Sequence, residues 1–136
     1  MKKIVKYIFI FLLIVYIISY FCSYHEINNI EMIESIKFSD YLDINETKYY
    51  TSIEDIKNAE RKIRNINFYH NSKGVQLQQS PTMSITINYK NGEKKEILMV
   101  EENALIANTT KEGYISGDFY YVNPFLVRLK FTRGCN

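Results

Sequence analysis

The sequence predicts an α+β protein. One N-terminal transmembrane or signal helix precedes a small antiparallel sheet of about 4–6 strands. One main helix over about residues 52–66 packs on that sheet, and a short C-terminal helix closes the chain. Three observations carry the prediction. An apolar run near the N-terminus holds no charge, "TSIEDIKNAERKIRNI" has helical spacing, and "MSITINYKNGEKKEILMV" alternates on either side of Asn91-Gly92.

The opening stretch is "MKKIVKYIFIFLLIVYIISYFCSYHE". Lys2, Lys3 and Lys6 precede 18 uncharged residues, Tyr7 to Tyr24, and Glu26, Glu31 and Glu34 follow. At ~1.5 Å per residue the run measures about 27 Å, enough for a thin bilayer core. The basic side stays in the cytoplasm, which places the rest outside. Tyr20, Phe21 and Tyr24 suit the outer interface. Signal peptidase wants small residues at −1 and −3. Cutting after Ser23 puts Phe21 at −3, and cutting after Ser19 puts Ile17 there. A bacterial lipobox wants a small residue before its cysteine, and "SYFC" offers Phe21 before Cys22. The reading favours a retained anchor over residues 1–24, ahead of a cleaved signal and of lipid attachment. Residues 25–136 then form one extracytoplasmic domain with a single modest core.

Along the domain, "NNIEMIESIKF" reads as a strand over about 30–38, and "ETKYY" as a second. The main helix has two capping registers, Thr51 with Glu54 and Ser52 with Asp55. Ile53, Ile56, Ala59, Ile63 and Ile66 form its apolar stripe. Glu60 and Arg64 stand one turn apart in the favourable order. Residues 69–81, with Gly74 and Pro81, read as a polar loop. The hairpin around Asn91-Gly92 permits two registers. Ile85 faces Leu98 and Met83 faces Val100 across a two-residue loop, or Ile85 faces Ile97 and Met83 faces Met99 across a bulged three-residue loop. "ALIAN" and "DFYYV" read as two more strands, with "TKEGYISG" as the turn region between them. In "NPFLVRLKFTRG", Asn123 and Pro124 suit a helix start, while Phe125, Val127, Leu129 and Phe131 show strand period. The short helix is favoured.

This order of features resembles small anchored or secreted proteins of unknown function from Gram-positive bacteria. The matching stretches are "TSIEDIKNAERKI", "SPTMSITINYKNGEKKEILMV" and "YYVNPFLVRL", within residues 48–130. The resemblance implies location and fold, and it implies no activity. Phe21 departs from the lipoprotein members, which carry a small residue before the cysteine.

Charge and chemistry narrow the function. The net charge is +2. After Tyr24 there remain 14 basic and 15 acidic side chains, a balance of −1 that gives no sign of the basic face nucleic-acid binding needs. Arg128, Lys130 and Arg133 follow the last acidic residue, Asp118, and read as a solvated face or a docking patch for an anionic surface. Cys22 and Cys135 are too few for a disulfide framework. His25 and His70 lack a ligand partner at helical spacing and read as exposed loop residues. No nucleophile motif or glycine-rich phosphate loop is present. Glu101, Glu102 and Asp118 form a carboxylate cluster if their strands are neighbours. "NET" at Asn45–Thr47 and "NTT" at Asn108–Thr110 match an N-glycosylation pattern that matters only in a eukaryote. Tyr49, Tyr50, Tyr69, Tyr89, Tyr114, Tyr120 and Tyr121 suit core edges first and a partner surface second.

The expectation is a non-enzymatic binding or interaction module on a single-pass bacterial cell-membrane anchor. Its partners are the membrane, through the N-terminal helix, and an envelope or extracellular protein. No catalytic, metal or cofactor-binding residues are expected. One alternative is a small hydrolase-like enzyme using His70 with Glu101, Glu102 or Asp118. Another is an immunity or self-protection protein.

Overall fold

The three lysines and the uncharged run as far as Cys22 fold as helix α1, Lys2–Cys22, and none of its 21 residues is buried. A helix of that length measures roughly 31 Å, which matches a bilayer core. It is long and apolar enough to cross a membrane. The structure is a computed structural model that describes residues 1–42, 46–74 and 79–132. Cys135, Arg133 and Asn45, singled out above, lie outside the described residues.

Among the described residues seven strands form one antiparallel sheet: β1 (Ile33–Asp40), β2 (Thr47–Tyr50), β3 (Tyr69–His70), β4 (Met83–Tyr89), β5 (Lys94–Val100), β6 (Asn103–Thr109) and β7 (Ile115–Tyr121). Their order is β2-β1-β4-β5-β6-β7-β3. The count exceeds the expected range because Tyr69–His70 pairs with Tyr121 and Tyr120 inside the stretch expected to be loop. Two residues are too few to display a period. The first strand begins later than expected, after a 3-10 turn at Ile30–Met32. Ile115–Gly117, read as part of a turn, belong to β7, and the connection is only Thr110–Tyr114.

The hairpin takes the bulged register: Ile85 faces Ile97 and Met83 faces Met99. Gly92 makes this possible with φ of 86°, a left-handed conformation that an L side chain rarely adopts. The Tyr89 amide donates to the Glu93 carbonyl, closing a three-residue loop around Asn91.

Helix α2, Ile53–Arg64, starts in the second of the two capping registers. Ser52 accepts from the Asp55 amide at 3.1 Å. The helix follows β2 at one edge of the sheet and packs over β1 and β2, and the chain then continues to β3 at the other edge. Ile56, Ala59 and Ile63 point into the core as expected. Ile53 departs from the stripe and is 72% exposed, while Glu60 is buried in its place. Helix α3, Pro124–Thr132, forms as expected, with Asn123 capping the Leu126 amide at 3.2 Å. Its Val127 and Phe131 are buried, and the Phe131 ring stacks on Phe38 at 4.6 Å. The core is therefore one cluster: Ile36, Phe38, Ile85, Ile87, Ile97, Met99 and Ile106 from the sheet with these helix residues. The opposite sheet face carries Lys37, Thr86, Asn88, Lys94 and Glu96, and Lys94 pairs with Glu96 at 3.0 Å.

Candidate functional site

Strand parity builds a polar row on the core face. Lys95 shares the face of Ile97 and Met99, and the ladder runs Ile87–Lys95–Asn108–Ser116 across four strands. A lysine on that face must find an anion or leave the core. The anion comes from the segment behind α1. Tyr24 pairs with Phe68 through two backbone hydrogen bonds, of 2.6 and 3.1 Å. That pairing turns the Glu26 side chain into the core, where it is 1% exposed and forms an ion pair with Lys95. The Tyr24 hydroxyl donates to the other Glu26 oxygen at 2.8 Å. Two residues on, Asn28 accepts from the Tyr89 hydroxyl.

The stretch after α1 is thus part of the domain rather than a free tether. Tyr24, expected at the membrane interface, stacks on Tyr120 with ring centroids 5.2 Å apart. His25, expected in an exposed loop, is half-buried. Its Nδ1 donates to the Arg64 carbonyl at 3.1 Å and its Nε2 bonds Ser23 at 2.9 Å.

Electrostatics around Glu26 are one-sided. Burial, then the hydrogen bond to Glu26, pushes the Tyr24 phenol well above its usual range. Burial and the Glu26 charge raise Tyr89 to about 12. Burial and Asp118 raise Tyr120. Neutral phenols donate and stack, and they do not act as bases near neutral pH. Both Glu26 oxygens are already engaged. A polar recess of about 240 Å³ adjoins the cluster, with Asn108, Ser116 and Asp118 on its other walls.

The residues weighed for catalysis are not gathered there. Asp118 lines the recess. His70 is exposed on β3 and meets the Tyr120 ring edge-on at 5.9 Å. Glu101 and Glu102 are exposed in the turn between β5 and β6. Among the described residues no three His, Cys, Asp or Glu side chains converge as a metal site would require. Of the three basic residues weighed above, the two that are described, Arg128 and Lys130, are engaged with the fold. Arg128 holds the buried Asp40 of β1 at 2.6 Å, and Lys130 donates to the Asn65 carbonyl at 2.7 Å. Burial lowers the Lys130 pKa.

Two larger concavities flank the domain. An apolar groove of about 580 Å³ lies between the 3-10 turn and α2, walled by Ile30, Ile33, Ile53 and Ile56 with Lys57 and Lys90 at hand. A cleft of about 640 Å³ separates Tyr16 and Tyr20 of α1 from Asn67, Val122, Leu126 and Lys130. Tyr69 also lines it, and its hydroxyl bonds Ser19 of α1. The tyrosines divide accordingly. Tyr50, Tyr89 and Tyr120 pack against the core, whereas Tyr49, Tyr114 and Tyr121 are exposed.

The Glu26–Lys95 pair escaped the sequence reading, although a signal existed. In "KKEILMV", Lys95 has the parity of Ile97 and Met99, so the strand period already put a charge on the apolar face. Its partner could not be read, because Glu26 is 69 residues away in sequence. No protein-family model matches this chain, and neither a curated protein nor a solved structure does.

Proposed function

We propose that the chain is a single-pass membrane protein. Its N-terminus is cytoplasmic, its anchor is retained, and its domain, residues 25–136, is a non-enzymatic binding module outside the cell membrane. The carrying observation is that α1, exposed on every side, runs directly into residues the domain core needs. A cut at Ser23 would expose a new terminus beside Tyr24 and the buried Glu26. The three lysines at the start of α1 favour the stated orientation.

The binding role rests on the apolar groove. Ile53 sits on its wall at 72% exposure, in a helix whose other isoleucines are buried. An exposed isoleucine beside Ile30 and Ile56 suits an apolar side chain of a protein partner, with Lys57 and Lys90 available for its polar rim. The non-enzymatic reading draws support from Glu26, both of whose oxygens are bonded.

Two measurements test this. Intact mass of the membrane fraction is expected to equal the full chain, and protease added to intact cells is expected to digest the domain. A soluble product lacking α1 refutes the anchor. A photo-crosslinker at Ile53 is expected to capture a partner that Ile53→Asp loses. Capture no greater than at Tyr49, on the opposite sheet face, refutes the groove as the binding surface.

A further inference from the structure

We infer that the first turn of α3 seats in the outer leaflet of the bilayer, with Phe125 and Leu126 as an apolar wedge beside α1. This rests on the anchor reading above and adds a second membrane contact to it. Phe125 is 62% exposed and Leu126 51% exposed, while Val127 and Phe131 of the same helix are buried. The two outer side chains therefore serve no core. What covers them follows from their depth along α1. The Tyr69 hydroxyl bonds Ser19, and Leu126 shares a cleft with Tyr16 and Tyr20. Tyr16 precedes the end of α1 at Cys22 by roughly 9 Å of helix rise. A helix that crosses the bilayer therefore brings α3 down to the layer occupied by its own last two turns. Apolar wedges enter the boundary between headgroups and acyl chains by about 5–10 Å, so the two depths correspond.

The side chains at that level have the composition such a layer selects. Tyr20 is 50% exposed and Phe21 81% exposed on α1, and Tyr121 is 45% exposed just before α3. Aromatic rings and short apolar wedges favour the boundary between headgroups and chains. The cleft itself is polar, with Asn65, Asn67, Asn123 and Lys130 in its walls. In hydrocarbon the donors and acceptors these groups have left over would go unmet, whereas headgroups meet them. The polar cleft limits the seating to the interface.

The chain contains no tryptophan, so one introduced tryptophan reports its own depth. Three full-length variants reconstituted in phosphatidylcholine–phosphatidylglycerol vesicles make the test: Phe125→Trp, Ile14→Trp in α1, and Ile53→Trp on the groove wall. All three positions are exposed, so the core is left intact. Phe125→Trp is expected to blue-shift and to lose much of its emission to lipids brominated near the headgroup end of the chain. Ile14→Trp is expected to be quenched by deep bromines, and Ile53→Trp to keep the emission of a water-exposed indole. Quenching of Ile14→Trp without quenching of Phe125→Trp overturns the seating and leaves the anchor standing. Equal quenching of Phe125→Trp and Ile53→Trp also overturns it, because the contact is then not specific to α3. Failure to quench Ile14→Trp overturns the anchor reading and the seating with it.

Discussion

Glu26 and Lys95 show what a single buried charge demands. Each would be costly alone in the core, and together they are nearly dry, with side-chain exposures of 2% and 15%. Breaking a buried pair typically costs about 3–5 kcal/mol, because the surviving charge has no partner. Lys95→Met is expected to destabilise by about that amount in chemical denaturation of the full chain in micelles. Combining it with Glu26→Leu is expected to recover most of the loss, and a double variant no better than Lys95→Met refutes the pair as the cause. Glu60 is the contrary case. Both its oxygens are buried without a hydrogen-bond donor, and Arg64 stands 3.7 Å away. A buried acceptor without a donor costs about 1–3 kcal/mol and the half-exposed Arg64 offsets part of it, so Glu60→Met is expected to raise stability by up to about that range. A lowered unfolding midpoint would show that Glu60 serves a role in the core after all.

At the scale of elements, α3 is fastened at both ends. Asn123 caps its start and the Lys48 ammonium donates to the Phe131 carbonyl near its end at 2.7 Å. Between them Arg128 reaches Asp40, and Phe131 stacks on Phe38. Asn123→Ala is expected to cost about 1 kcal/mol, the usual worth of a cap. A neutral result by denaturant melting would mean that the tertiary contacts alone hold the helix. Helical spacing accounts for α3 in place of a strand: Val127 and Phe131, four residues apart, bury together on one face of the helix. The extended segment from Tyr24 to Asn28 is an element in its own right. It joins α1 to the core face through Phe68, Lys95 and Tyr89.

For the whole molecule, the phenols predict an alkaline limit to stability. Tyr89 ionises near 10.0 when unfolded and at about 12 when folded. Between those values the folded state holds a proton that the unfolded chain has released. Stability therefore falls as pH rises through this window and is unaffected below it. Tyr24 and Tyr120 shift in the same direction and add to the slope. Denaturant midpoints measured across that range are expected to drop, and Tyr89→Phe is expected to flatten the drop. A variant with an unchanged slope would contradict the assignment to Tyr89.

Some of this was legible in the residues because it is local. A run of 18 uncharged residues after lysines specifies a helix long and apolar enough to cross a membrane. Ile spacing in α2, alternation in β4 and β5, and the glycine of the hairpin loop each act within a few residues. Asn123 before Pro124 marked the start of α3 in the same way. The register of the hairpin was not local, because both loops fit Asn91-Gly92. Burial decided it by placing Ile85 opposite Ile97 and Met83 opposite Met99 on the core face. Burial likewise decided that Ile53 stays out and Glu60 goes in, that Arg128 pairs with Asp40, and that Glu26 meets Lys95. These outcomes depend on groups far apart in sequence, and only the closed core brings them within a hydrogen bond of each other. The sequence by itself determined a membrane-length helix and the elements of an α+β domain. The tertiary structure alone decided that the segment behind the helix is built into the domain, because its Glu26 is buried against Lys95 in a core that local pattern does not describe.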